Sequence, residues 1–235
     1  MQDKQFPQSK VATADQDQLA QAMGNSQAAL GADVSSVLKN TYMLLGLTIA
    51  FSALVAYLSM DAPRPGIIVT LVGFYGLFFL TAKLSNSAWG LVSTFALTGF
   101  MGYTLGPIIG MFAGAGAMPI VANALGLTAF TFFGLSAYAL ITRKDFSFLA
   151  GFLTIGFFVL LGAMLIGFFT SMPGLQLMIS AGFVIFSSAA ILFQTSAIIH
   201  GGERNYILAT ISLYVSIYNL FLSLLQLLTA FAGDE

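Results

Sequence analysis

LSNSAWGLVSTFALTGFMGYTLGPIIGMFAGAGAMPIVANALGLTAFTFFGLSAYALIT, residues 84–142, contains no Asp, Glu, Lys or Arg. The same is true of residues 146–200 and 205–233. A charged side chain at the centre of a bilayer costs roughly 2.5–3.5 kcal/mol on insertion scales, so apolar runs of this length without charge read as lipid-embedded helices. The chain is therefore expected to be an all-α polytopic membrane protein.

Composition agrees. The chain is 58% hydrophobic and only 7% charged, against about 25% charged residues in an average soluble domain. A net charge of −1 leaves no basic surface to neutralise phosphates, which sets nucleic acid aside as a partner. Without cysteine there are no disulfides, thiolate nucleophiles or thiolate metal sites.

A span needs about 20 mainly apolar residues. Helices are expected near 40–60, 66–82, 89–112, 119–141, 147–170, 175–199 and 206–231, which makes a seven-helix bundle. The breaks between them carry turn chemistry, including Asp61-Ala-Pro-Arg-Pro65, Ser171-Met-Pro173 and Gly201-Gly-Glu-Arg204. Lys39, Lys83, Arg143, Lys144 and Arg204 fall on one side and only Arg64 on the other. Basic residues beside spans are retained in the cytoplasm, so the N-terminus is expected inside and the C-terminus outside, in the periplasm. Residues 1–38 lack the apolar core of a signal peptide and are rich in Gln and Ala, with Phe6 as their single aromatic. They are expected to form a largely disordered cytoplasmic tail, with a transient helix over residues 16–30, ahead of a membrane domain at 39–235.

Three constellations lie inside the expected spans. Gly102, Gly106, Gly110 and Gly114 recur every fourth residue, a stripe where another helix backbone can approach closely, and Pro107 beside them offers either tight packing or a hinge. In the last span Ser212, Ser216, Asn219, Ser223 and Gln226 share one face, and in the sixth Ser180, Ser187 and Gln194 recur every seven residues. Together they predict a polar seam between the last two helices, serving packing or an ion or water path. Beyond it His200, with Glu203 and Arg204, marks a helix end, where the histidine is read as a C-terminal cap or as a pH sensor. No HExxH, Gly-x-Ser-x-Gly or P-loop string occurs, no carboxylate lies within a span, and neither a cofactor nor a metal site is expected.

Three strings are more specific: NTYMLLGLTIAFSA at 40–53, AYALITRKDFSFL at 137–149 and ILFQTSAIIHGGERNYILATISLYVSIYNLFLSLL at 191–225. They closely resemble the bacterial YccA branch of the Bax inhibitor (TMBIM) family. The resemblance covers all seven segments and leaves the tail unmatched. It implies a seven-helix protein of the bacterial inner membrane, not an enzyme, whose partners are the lipid bilayer and the membrane-anchored AAA protease FtsH. It further implies that the protein modulates this protease and is itself a slow substrate of it. Other branches resemble pH-sensitive calcium leak channels governed by two facing aspartates, whose positions map here to Gln194 and Ser216. Neither titrates near neutral pH. A calcium or cation leak through the seam is thus the alternative, and a pH-insensitive one.

Overall fold

The structure, a computed structural model, describes residues 8–170 and 172–233. Seven helices follow one another: α1 (Gln8–Leu58), α2 (Ile67–Leu84), α3 (Trp89–Gly114), α4 (Met118–Thr142), α5 (Leu149–Phe169), α6 (Pro173–Ile199) and α7 (Tyr206–Ala232). Each contains a stretch long and apolar enough to cross a membrane, beginning in α1 at Asp33. Every boundary lies within two residues of its expected position except the start of α1. There the helix continues from Gln8 through the segment whose composition suggests disorder. Its physical reason is propensity: after Pro7 no proline interrupts the chain until Pro63, and Ala, Gln and Leu are good helix formers. Isolated polar helices are marginal in water, because most helix stability comes from packing an apolar face.

Local chemistry sets the ends. Asn205 caps α7, its side-chain oxygen accepting from the amides of Ile207 and Leu208 at 2.9 and 3.2 Å. The same side chain donates to the Ser85 carbonyl at 3.2 Å and to Asn86 Oδ1 at 2.9 Å, tying the α2–α3 turn to the start of α7. Pro119 sits in the first turn of α4, where its missing donor costs nothing. At the other end of α4 Arg143 adopts a left-handed conformation, φ 49°, and its amide closes on the Ala139 carbonyl at 2.9 Å.

The helices are arranged around α7, which packs against α1, α2, α3, α4 and α6. Leu213 and Leu220 of α7 are fully buried, together with Leu97 of α3 and Ile191 of α6. Helix α5 touches α6 alone among the described residues, and α2 touches α3 and α7. These two outer helices carry much of the exposed apolar surface, such as Phe158, Ile155, Val72 and Phe79, as expected where the surrounding solvent is lipid. The start of the α1 span, the last turn of α2 with Lys83 and the segments bearing Arg143, Lys144 and Arg204 gather at one end of the bundle, and Arg64 lies at the other.

Candidate functional site

The glycine stripe of α3 lies against α1. A Cβ on Gly106 would sit 2.6 Å from the Ala56 carbonyl oxygen, one on Gly102 would collide with the Ser52 carbonyl oxygen and sit 3.1 Å from its carbon, and one on Gly110 would sit 3.0 Å from the Met60 carbonyl carbon. Backbone cannot yield at those distances, so three of the four glycines are there to let two helices meet. Gly114 differs, with nothing within 4 Å of an added Cβ. Pro107 is buried within α3, which continues to Gly114 without a break.

Along α6 and α7 the polar residues are less connected than their spacing suggests. Ser180 Oγ and Gln226 Oε1, 2.8 Å apart, form the one side-chain hydrogen bond that joins the two helices across the seam among the described residues. Ser216 is buried but donates back to the Ser212 carbonyl of its own helix at 2.9 Å. Ser187 is buried with its hydroxyl unpartnered, and Ser223 is buried too. Gln194 and Asn219 are partly buried.

The other cross-helix side-chain hydrogen bonds of the bundle come from hydroxyls outside the expected seam. Tyr214, 4% exposed, places its hydroxyl 2.5 Å from Ser52 Oγ of α1 and 3.3 Å from the Thr98 carbonyl of α3. One turn on, the Tyr218 hydroxyl lies 2.9 Å from Thr104 Oγ1 of α3. Tyr42 of α1 reaches Thr195 of α6 at 3.4 Å, and Thr210 donates to the Thr41 carbonyl at 3.3 Å. These bonds tie α7 to α1 and α3, and α1 to α6. The signal was available: two tyrosines four residues apart on a helix facing a protein interior need partners for their hydroxyls.

At the basic end, Ser196 of α6 accepts the Phe146 amide at 3.0 Å and donates to the Lys144 carbonyl at 3.3 Å, anchoring the α4–α5 loop. His200 is exposed at the end of α6, its Nδ1 2.9 Å from the Ser196 carbonyl, the geometry of a C-terminal cap. Asp145 Oδ1 accepts the Ser147 amide at 2.8 Å. That bond and the Ser147 hydroxyl, with His200 nearby, hold the exposed Asp145 carboxyl below the ordinary aspartate range. Glu203 Oε1 accepts the Asn205 amide at 2.8 Å, and Arg204 Nε donates to the Gly201 carbonyl at 3.3 Å.

No described group of three or more His, Asp or Glu is positioned to hold a metal ion. The interior therefore offers hydroxyls and amides, which can pack, bond and wet a helix interface. Among the described residues no Asp, Glu, Lys, Arg or His is buried in it.

Comparison with known proteins places this architecture. The family model described as inhibitor of apoptosis-promoting Bax1 matches residues 34–233, which takes in all seven apolar stretches. An uncharacterized protein of Pseudomonas aeruginosa, PA2604, is 67% identical over 214 residues, 90% of this chain and 96% of its own. The modulator of FtsH protease YccA of Escherichia coli K12 is 57% identical over 194 residues, 82% of this chain and 89% of its own. An uncharacterized membrane protein of Vibrio cholerae is 44% identical over 200 residues, 83% of this chain and 90% of its own. With the fold, the unbroken match and these relatives in agreement, the chain belongs to the Bax inhibitor family of membrane proteins.

Proposed function

We propose that this protein modulates the membrane-anchored AAA protease FtsH in the bacterial inner membrane, slowing its attack on other membrane proteins, without itself being an enzyme. The observation that carries the reading is the 57% identity, over most of both chains, to a relative named for modulating that protease. A relative of the same identity is named an inner membrane protein. The described interior supports a binding role, since its polar groups are hydroxyls and amides engaged in helix packing.

In this reading the bundle docks beside the protease's membrane helices, and residues 1–38 extend from the basic, cytoplasmic end as the segment an ATP-driven unfoldase would grip. Fully extended at about 3.3 Å per residue, such a segment reaches on the order of 100 Å. A marginal polar helix would melt at little cost when pulled. A cation leak along the seam draws less support, because Ser216 turns back onto its own helix and neither it nor Gln194 carries charge.

The test is co-purification from native membranes in mild detergent, with full-length protein and a form lacking residues 1–35. Recovery of the protease with both forms supports docking through the bundle, and recovery with full-length protein alone assigns binding to the tail. Recovery with neither, together with cation efflux from proteoliposomes that a Gln194→Leu, Ser216→Leu variant abolishes, would replace the proposal with the leak.

A further inference from the structure

At the basic end of the bundle a cavity of about 550 Å³ opens between the start of the α1 span, the end of α4 and the α6–α7 loop. Its size is within the roughly 300–1,000 Å³ usual for small-molecule sites. Its floor is apolar, formed by Val37, Leu140 and Ile199. Its walls carry both signs of charge: Arg143 and Arg204 on one hand, Asp33 and Glu203 on the other.

Asp33, Arg143 and Arg204 are exposed and Glu203 is partly so. Among the described residues no ion pair forms between them, although all four line one space. Glu203 is engaged with the Asn205 amide, and Arg204 spends one donor on the Gly201 carbonyl. Neither the Asp33 carboxylate nor the Arg143 guanidinium has a hydrogen-bond partner among the described residues, and Arg204 keeps its terminal donors. Arg143 also occupies the left-handed cap of α4, a conformation that Gly or Asn adopts at lower steric cost.

We infer that this cavity binds the headgroup of a zwitterionic aminophospholipid, phosphatidylethanolamine in chemical class. Its phosphate would sit on Arg143 and Arg204, its primary ammonium on Asp33, and the upper part of an acyl chain on the Val37, Leu140 and Ile199 floor. Guanidinium donors match phosphate oxygens in fork geometry. An ammonium with three N–H donors is matched by a carboxylate, whereas a quaternary ammonium has none to offer. Position fits the occupant, since the cavity adjoins the first residues of the α1 span, at the level of the headgroups. The proposal stands apart from protease modulation, because it asks only what fills this cavity in any membrane.

Native mass spectrometry of the full-length protein, released from nanodiscs of phosphatidylcholine doped equally with phosphatidylethanolamine and phosphatidylglycerol, tests it. The expected result is selective retention of phosphatidylethanolamine. Asp33→Asn should erase the preference over phosphatidylglycerol while leaving phosphate-dependent retention. Arg143→Asn, which suits the left-handed cap, combined with Arg204→Gln should weaken retention of both lipids, by about fivefold per arginine. Arg64→Gln, at the opposite end, should change nothing. Asp33 is exposed on a helix surface, so its variant reads the site even if the arginine variant folds poorly. Equal or greater retention of phosphatidylglycerol by the wild type, or unchanged selectivity in Asp33→Asn, overturns the inference. Displacement of the lipid by millimolar inorganic phosphate would assign the cavity to a free anion and overturn it as well.

Discussion

Helices α5 and α7 are both apolar enough to cross a membrane, yet they meet opposite fates. Of the α5 span only Leu160 is buried among the described residues, while more than half of the α7 span is, and α5 is the more apolar of the two. In a water-soluble protein the more apolar helix would be the buried one. Here lipid is as apolar as any leucine, so burial goes to the helix whose serines, threonines and tyrosines need partners, and leucine and phenylalanine face outward. Helix association then rests on close approach and on hydrogen bonds rather than on expulsion of water.

That contrast can be broken at its strongest point by adding one methyl group. Gly106→Ala drives a Cβ to 2.6 Å from the Ala56 carbonyl and should destabilise the bundle by about 1–3 kcal/mol, read as a lower melting temperature in detergent. Gly162→Ala in α5, with open space around it, should be neutral or slightly stabilising through helix propensity. Equal losses in the two variants would mean that α5 is covered by something the bundle itself does not supply.

A smaller effect is expected one layer in. Tyr214→Phe removes the hydroxyl shared with Ser52 and the Thr98 carbonyl and should cost about 1 kcal/mol. Phe157→Leu, on the exposed face of α5, should cost almost nothing by the same melt. Smaller still is the seam itself: a double-mutant cycle of Ser180→Ala with Gln226→Leu should return a coupling of about 0.6 kcal/mol, the average for such bonds in membranes.

The smallest effect lies outside the membrane. The Asp145 carboxyl is held below its ordinary value by the Ser147 amide, so its contribution to loop order is present above about pH 4. It is lost as the pH falls through the lowered value of the folded state. Hydrogen exchange at the Ser147 amide should accelerate in that acidic window. In Asp145→Ala, which removes the acceptor, it should already be fast at neutral pH.

Helix number and limits were legible because the absence of charge and the breakers at Pro63, Pro65, Pro119 and Pro173 act locally, and lipid permits few alternatives. The glycine stripe was legible in part: spacing found Gly102, Gly106 and Gly110, but could not say that α1 is the helix they meet, or that Gly114 meets none. The polar seam shows what spacing misses. Periodicity puts Ser212, Ser216 and Asn219 on one face, yet a serine in a helix can satisfy its hydroxyl on its own backbone, as Ser216 does. A tyrosine hydroxyl stands too far from its own backbone for that, so Tyr214 and Tyr218 reach across, and they tie α7 to α1 and α3 rather than to α6. The start of α1 differs from the expected one for a related reason, since composition carries the polarity of residues 8–32 more plainly than the local helix propensity of an Ala- and Gln-rich segment.

The central claim is that this bundle restrains a protease, and a pulse-chase experiment on a membrane protein that FtsH degrades tests it most directly. In cells lacking the chain, the client should disappear faster than in cells producing it. Restoring the chain should lengthen the client's half-life in proportion to the amount of protein made. A client half-life that does not change between absence and overproduction, with the protease present and active in both, would contradict the account.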